Sequence, residues 1–266
     1  MKVVEFKVGD DIKIDGEIGA LTMGAFDGLH LGHQTLIKCA VELAKSVSRL
    51  SALLTFKSHP RFVIAPHAPF KLLLWNEFKL DLISKSGIDV VYVLDFDDSV
   101  RNESPEYFFN EIILNEICPS NIVVGFNYSF GKNASGNVDV LKKLCDKSKT
   151  GLEIMPPVEV RKGVLTSSSN VKKALSLGEI AFANEMLGRE YSLKCQIIDI
   201  ESQNIVLKPF ELMQTPSKGL YHVKISDKSG RITSADVTYD GIYLHLNSTQ
   251  NFFETVDEVV VSFVAS

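Results

Sequence analysis

The sequence predicts an α/β domain with a parallel sheet, followed by a small antiparallel β domain, either a barrel or a sandwich. Its 266 residues suffice for two domains, since domains usually hold roughly 100–200 residues. From residue 18 to about residue 157, short β-rich apolar runs alternate with helix-like stretches, as in a sheet with crossover helices. After Gly188, apolar residues recur at every second position, which is typical of antiparallel strands.

The first domain is predicted to begin with strands and helices in alternation. The predicted strands are Ile18–Met23 and residues 51–56, 90–96, 121–124 and 152–155. The predicted helices are residues 34–47, Asn76–Ser84, residues 105–115 and residues 138–145. Ser104 before Pro105 is typical of a capped helix start, because a serine oxygen accepts from a free amide and proline suits the first helical position.

Two further helices lead to the predicted domain boundary. They span residues 169–176 and 179–187, and Gly188 suits the C-terminal cap of the second one. We therefore expect one domain at residues 1–188 and another at residues 189–266. The second domain is predicted to contain strands at residues 221–225, 242–246 and 259–263, with a turn at residues 227–230.

Charge and composition exclude several classes of protein. The net charge of −5 provides no basic field for a nucleic-acid backbone, so nucleic acid is not an expected partner. No apolar run approaches the roughly 18 residues of a membrane span, so no membrane is expected and the predicted location is cytoplasmic. The four cysteines lie far apart, which favours buried reduced thiols over a disulfide framework or a zinc site. They are Cys39, Cys118, Cys145 and Cys195.

The segment Gly24-Ala25-Phe26-Asp27-Gly28-Leu29-His30-Leu31-Gly32-His33 joins the first predicted strand to the first predicted helix. It therefore lies at the carboxyl edge of the sheet, where open α/β folds bind ligands. Its glycines let the backbone approach a phosphate, and the helix start directs free amides and a positive dipole at the same place. His30 and His33 can both donate to phosphate oxygens. The pattern predicts a nucleotide-phosphate site.

This segment resembles the signature of the nucleotidylyltransferase superfamily, which has a Rossmann-like fold with a parallel sheet. His-x-Gly-His follows a strand, and Gly-x-Phe-Asp-Gly precedes it. Residues 54–61, 124–136, 167–172 and 187–191 are similar to motifs of the bacterial bifunctional riboflavin kinase/FAD synthetase family, whose second domain is a β-barrel. The resemblance covers residues 18–191.

The resemblance implies an FMN adenylyltransferase, which makes FAD and pyrophosphate from FMN and ATP, with Mg²⁺ entering on the ATP and no metal ligand set of the protein's own. The catalytic residues it implies are His30, His33, Ser168 and Lys172. The ATP-binding residues it implies are Gly24, Ala25, Phe26, Asp27, His30, Gly32, His33, Ser167, Ser168 and Ser169. The FMN-binding residues it implies are Arg61, Asn127 and Phe130.

Simpler roles stay open for several of these residues. Ser167 and Ser168 could only cap a helix, and Arg61 could be a solvated surface residue. Asp27 could hold Mg²⁺ through water or cap the turn. For the whole chain, two alternatives are transfer to another phosphorylated acceptor and a non-catalytic flavin- or nucleotide-binding protein.

The sequence departs from the family in both domains. The family often has arginine where Ser129, Leu165 and Lys172 stand, and lysine lacks the planar fork of arginine. The family's Gly-Arg-x-Leu-Gly-x-Pro-Thr-Ala-Asn segment, which holds ATP for riboflavin phosphorylation, has no counterpart between Tyr191 and Gly219. We therefore expect a barrel that has lost riboflavin kinase activity.

Overall fold

The structure is a computed structural model that describes residues 1–201, 204–247 and 257–265. The chain forms two compact units. The first contains Met1–Phe70 and Asn76–Val158, and the second contains Lys71–Trp75 and the described residues from Glu159 onward. The two helices predicted directly before Gly188, at residues 169–176 and 179–187, therefore pack in the second unit. This division describes packing, and the functional boundary at Gly188 stays a prediction.

A six-stranded parallel sheet forms the centre of the first unit, in the order β1-β4-β3-β2-β5-β6. The strands are β1 Lys2–Phe6, β2 Ile18–Met23, β3 Leu50–Phe56, β4 Val90–Leu94, β5 Asn121–Gly125 and β6 Gly151–Met155. The five predicted strands are confirmed to within two residues at each end. The edge strand β1 was not predicted, because most of its side chains are exposed and charged residues interrupt its apolar ones.

Helices cover the sheet. They are α1 Leu31–Ser46, α2 Arg61–Ile64, α3 Asn76–Ser84, α4 Asp98–Arg101, α5 Pro105–Tyr107 and α6 Val138–Ser148. A π-helix, Phe108–Ile117, continues α5, and a short 3₁₀ helix spans Lys132–Ala134. The predicted cap of α5 is confirmed, since Ser104 Oγ accepts from the Tyr107 amide at 3.1 Å. The predicted start of α1 was wrong by three residues, because the helix begins at Leu31 rather than Gln34.

The core of the first unit explains the position of its loops. All six residues of β2 and all five of β4 are buried, as expected of parallel strands covered on both faces. On α1, the buried stripe includes Leu36, Ile37 and Ala40. Because β3, β2 and β5 are neighbours and parallel, the loops that follow them lie at one edge of the sheet.

The second unit combines a closed antiparallel barrel with two helices and a hairpin. The hairpin is β7 Glu159–Arg161 and β8 Val164–Leu165, and the helices are α7 Ser168–Ser176 and α8 Ile180–Leu187. The barrel strands are β9 Tyr191–Glu201, β10 Asn204–Pro209, β11 Gly219–Ser226, β12 Ile232–Tyr239, β13 Leu244–Asn247 and β14 Glu258–Phe263. They close in the order β10-β13-β12-β11-β14-β9. Of the two predicted alternatives, the barrel is therefore correct.

Two local predictions in this unit are confirmed, and five of its described strands were missed. Gly188 ends α8 in a left-handed conformation with φ 66°, and Gly230 donates to the Asp227 carbonyl in the predicted turn at 3.1 Å. The missed strands are β7 and β8 of the hairpin and β9, β10 and β12 of the barrel. In β12, most residues are partly or fully exposed and several are small and polar, so the apolar alternation is weak.

The helices of the second unit share a core with its barrel. Leu73, Val171 and Leu187 are fully buried in one cluster with barrel residues such as Val223. Within the described part of the chain, no helix has both the length and the apolar character that crossing a membrane requires.

The cysteines match the predicted buried reduced thiols only in part. All four are free, and Cys145 and Cys195 are buried. Cys118 is exposed and Cys39 is partly exposed, so burial was wrongly predicted for these two. The physical reason for Cys118 is its position as the left-handed residue that ends the π-helix, where the chain turns at the surface.

Candidate functional site

The loop between β2 and α1, residues 24–30, has an unusual backbone. Phe26, Gly28 and Leu29 all have positive φ, at 52°, 86° and 43°. Glycine adopts this conformation freely, whereas other residues there cost about 1–3 kcal/mol each and are held by their surroundings. Phe26 is fully buried and Leu29 nearly so, and the Leu29 amide donates to the Phe26 carbonyl at 3.2 Å. Strain of this kind concentrates at ligand sites.

The start of α1 leaves its first amides without a cap from a side chain. His30 is the N-cap residue, with φ −66° and ψ 170°, and its side chain makes no capping hydrogen bond. The first turn carries no acidic residue, and the first amide of the helical hydrogen-bond pattern is that of Gln34, which donates to His30. The amides of residues 31–33 therefore have no partner within the helix, and the positive end of the dipole favours an anion there.

His30 and His33 form a stacked pair at this helix start. Their ring centroids lie 3.8 Å apart at 21°, and the Phe26 ring lies 5.1 Å from that of His33. Nδ1 of His33 is buried and has no hydrogen-bond partner among the described residues. Burial, and then the neighbouring His30, hold the pKa of His33 well below its usual value, so this imidazole is neutral at pH 7. A neutral ring still provides one N–H donor for a phosphate oxygen.

A buried lysine supports the β2–α1 loop from the side of β3, and sequence reasoning missed it. Lys79 on α3 is 8% exposed and donates to Thr55 Oγ1 and to the Phe56 carbonyl, both at 3.2 Å. Thr55 Oγ1 in turn donates to the Ala25 carbonyl at 3.3 Å. Burial lowers the pKa of Lys79 to about 8, and nearby Asp27 partly opposes that shift. The available signal was the spacing of Lys79 and Ile83, which puts a lysine on the buried face of α3.

The carboxylate of Asp27 is a ligand group that would suit magnesium at the β2–α1 loop. Asp27 is 5% exposed and belongs to the β2–α1 loop. Among the residues that the structure describes, no three His, Cys, Asp or Glu side chains group as a metal ligand set. Mg²⁺ often binds one carboxylate together with substrate phosphates, so the residues present fit a metal that enters with a nucleotide.

The predicted FMN-binding residues have different surroundings. Arg61 is exposed at the start of α2, with its guanidinium 5.4 Å from the centroid of the Phe70 ring. Asn127 is exposed after β5. Phe130 is only 8% exposed and packs on Phe108 at 6.1 Å. Arg61 and Asn127 can thus meet a ligand directly, whereas the ring of Phe130 belongs mainly to the core.

The predicted serine cluster lies in the second unit, at the start of α7. Ser167 is the N-cap, and its Oγ accepts from the Asn170 amide at 3.1 Å. Ser168 and Ser169 begin the helix, and Lys172 lies one turn further along. The cap is confirmed, and contact of this cluster with ATP stays a prediction.

Arg161, a cation close to the serine cluster in sequence, already forms an ion pair within the protein. Arg161 pairs with Glu185 at 2.7 and 2.8 Å, and its guanidinium lies 4.3 Å from the centroid of the Phe182 ring. It is therefore a poor substitute for the arginines that the family often has at positions 129, 165 and 172.

Comparisons with known proteins identify relatives of this chain. A family model described as FAD synthetase matches residues 14–170. A bifunctional riboflavin kinase/FMN adenylyltransferase of Listeria monocytogenes is 32% identical over 179 residues, which are 67% of this chain and 56% of that protein. A FAD synthetase of the same organism is 28% identical over 178 residues, covering 66% of this chain and 71% of that one. The match thus spans little more than half of the first relative.

The fold also has a solved counterpart. A crystal structure described as a macrolide-efflux protein from Streptococcus pneumoniae superimposes with a TM-score of 0.86 and 24% sequence identity. The match covers 99% of this chain and 90% of that one. At this level of identity it supports the two-part fold alone.

Proposed function

The chain belongs to the FAD synthetase family, and on that basis we propose that it is an FMN adenylyltransferase, forming FAD and pyrophosphate from FMN and MgATP. The observation that carries the proposal is the stacked pair of His30 and His33 at the uncapped start of α1, directly after a strained loop. Imidazole N–H groups and helix amides are donors suited to a triphosphate.

The proposed reaction is an in-line displacement at phosphorus. A phosphate oxygen of FMN attacks the α-phosphorus of ATP, and the bond from that phosphorus to the bridging oxygen of pyrophosphate breaks. No protein nucleophile is required, so catalysis consists of positioning and charge stabilisation. His30 and His33 donate to the leaving pyrophosphate as its negative charge develops.

The amides at the start of α1 are the main backbone donors in this proposal. The Gly24 amide already donates to the Leu54 carbonyl at 3.1 Å, so it is not available to the nucleotide. The amides of residues 31–33 lack a partner within the helix and take that role. Mg²⁺, when bound with ATP beside Asp27, supplies charge neutralisation on the phosphates.

For the acceptor, Arg61 and Asn127 support FMN because both are exposed. Arg61 combines a charge for the FMN phosphate with a planar group suited to aromatic rings, and its guanidinium lies 5.4 Å from the centroid of the Phe70 ring. The proposal assigns Ser168 and Lys172 to the ATP phosphates on the resemblance of their motif.

The central test is to incubate the protein with FMN, ATP and Mg²⁺ and to measure FAD by chromatography. We expect FAD from the wild type and a loss of roughly 100-fold or more in rate for His33→Ala, since it removes a donor to developing charge. His245→Ala is the matched control, because His245 lies on the barrel and pairs with Asp240 at 2.9 Å. A wild type that makes no FAD, or an unimpaired His33→Ala variant, contradicts the proposal.

A non-catalytic flavin- or nucleotide-binding protein is the second candidate. It is favoured by Ser129, Leu165 and Lys172 at positions where the family often has arginine, and by the engagement of Arg161 with Glu185. Tight binding of FMN or ATP without turnover in the same assay supports it. A panel of other phosphorylated acceptors separates both candidates from transfer to a different substrate.

A further inference from the structure

Lys79 is a buried cation that the proposed reaction does not use. Lysine is rarely buried without a specific partner, because removing its charge from water opposes folding. Here burial outweighs the favourable influence of Asp27 and lowers the pKa of Lys79 to about 8. The chain keeps this lysine where an uncharged side chain of similar shape would avoid the cost. Ionisable groups held at such a cost concentrate at functional sites.

The contacts of Lys79 lead to the β2–α1 loop in two steps. Its ammonium group donates to Thr55 Oγ1, and Thr55 Oγ1 donates to the carbonyl of Ala25. A second hydrogen bond, to the Phe56 carbonyl, fixes the ammonium at the end of β3. Thr55 is fully buried, so water does not compete with this relay.

The direction of the Ala25 carbonyl decides the direction of a neighbouring amide. A peptide group is planar and trans, so its C=O and N–H point in opposite directions. With the Ala25 carbonyl held toward Thr55, the amide N–H of Phe26 points away from β3. Phe26 and Asp27 both belong to the segment assigned to ATP, so the relay sets the orientation of groups that would meet the nucleotide.

We propose that Lys79 is a positioning residue for the β2–α1 loop: through Thr55 it orients the Ala25–Phe26 peptide, and its positive charge acts on Asp27 beside the bound nucleotide. This inference rests on the proposed assignment of the loop to ATP. Lys79 acts through Thr55 and Ala25 and is not itself given a contact with substrate.

The test uses Lys79→Met, which keeps the length of the side chain and removes its charge. We expect the KM for ATP to rise about 10-fold or more, as for loss of a hydrogen bond from a charged group, with a smaller change in kcat. The melting temperature alone does not test the role, because removal of the buried charge and loss of the hydrogen bonds to Thr55 and Phe56 act on stability in opposite directions. Lys85→Met is the matched control, since Lys85 follows α3, is exposed and pairs with Asp81.

Thr55→Val tests the relay without altering the charge, and Thr55→Ser should restore it. We expect Thr55→Val to raise the KM for ATP in the same direction as Lys79→Met and Thr55→Ser to approach the wild type. A wild-type KM in both Lys79→Met and Thr55→Val overturns the inference. A fall in melting temperature with unchanged kinetics overturns it as well, because it indicates a structural role alone.

Direct ATP titration separates this inference from the proposed function. If the wild type binds ATP but makes no FAD, the proposed reaction fails, and a weaker affinity in Lys79→Met still supports the positioning role. If the wild type makes FAD and Lys79→Met matches it in affinity and rate, only the role of Lys79 is overturned. A wild type that neither binds ATP nor makes FAD overturns both.

Discussion

Phe26 and Leu29 hold left-handed backbone conformations that bulky side chains rarely adopt, and the burial of both residues keeps them there. Packing of these side chains, rather than glycine content, therefore holds the conformation of the loop. Its glycines have different roles. Gly28 has a positive φ of 86°, which favours glycine for the backbone alone, whereas Gly24 has no such requirement.

Alanine at position 24 is expected to affect ATP binding without destabilising the protein. A Cβ atom at this position would lie 3.5 Å from the Phe26 ring, an ordinary contact, so the protein itself tolerates alanine there. We expect Gly24→Ala to leave the free energy of unfolding unchanged or to raise it by about 0.4–1 kcal/mol, while the KM for ATP rises because the backbone can no longer approach the nucleotide closely. Urea unfolding and steady-state kinetics measure the two effects.

Gly19→Ala, on the preceding strand β2, is the contrasting variant. A Cβ atom there would lie 2.8 Å from Cβ of Arg49 and 3.0 Å from Cα of Ala44, so we expect a loss of roughly 1–3 kcal/mol of stability. If Gly24→Ala loses stability in the same way, the fold does not tolerate a Cβ atom there. If it keeps the wild-type KM for ATP, Gly24 has no role in nucleotide binding.

Among the secondary-structure elements, the starts of α1 and α7 differ in how their amides are satisfied. α1 has no side-chain cap, whereas Ser167 caps α7 by accepting from Asn170. An uncapped helix start is open to an anionic ligand, and a capped one is already stabilised by the protein. The serine at 167 could therefore serve stability, ATP binding or both.

Two substitutions at Ser167 separate these roles. Ser167→Ala should lower the free energy of unfolding by about 1 kcal/mol, because the cap is lost. Ser167→Asp keeps a capping oxygen and should retain stability. If Ser167 also contacts ATP phosphate, the added negative charge of aspartate raises the KM for ATP. Wild-type kinetics in Ser167→Asp, checked in the FAD assay, would leave capping as the only role.

At the scale of the whole molecule, the barrel is retained although the motif for riboflavin phosphorylation is absent. β9 pairs with β10 in antiparallel register, with Asn204 opposite Glu201, so the two strands follow each other with only two residues between them. The family's ATP-binding segment would follow the first barrel strand, and the sequence between Tyr191 and Gly219 contains none. The closed barrel thus persists on the strength of its own core and strand pairing.

We therefore predict that the protein does not convert riboflavin and ATP to FMN. The measurement is chromatography after incubation with riboflavin, ATP and Mg²⁺, with FMN replacing riboflavin in a parallel reaction as the positive control for FAD formation. Detection of FMN above the level in an enzyme-free mixture would show that another segment of the barrel holds ATP.

The class of fold, five of the six strands of the parallel sheet and the loop segment of residues 24–33 followed from the sequence alone. These features depend on local patterns, namely apolar runs, helix spacing, caps and a glycine-punctuated turn, which are visible along the chain. The histidine pair was predictable for the same reason, since its members are three positions apart in the sequence. The edge strand β1 and the barrel strands β9, β10 and β12 could not be predicted in this way. Partly exposed strands carry mixed residues, and their pairing depends on distant neighbours.

The contacts that support the segment of residues 24–33 could be read only from the folded structure. Lys79 and Thr55 lie 24 residues apart, and Thr55 and Ala25 lie 30 apart, so no local pattern connects them. Because α1 begins at Leu31, His30 lies at its N-cap and stacks on His33. Burial lowers the pKa of His33, so its ring is neutral at pH 7. Burial and long-range hydrogen bonds arise only when the core folds. For this reason the support of the loop by Lys79 and the protonation state of His33 could not be predicted from local sequence patterns.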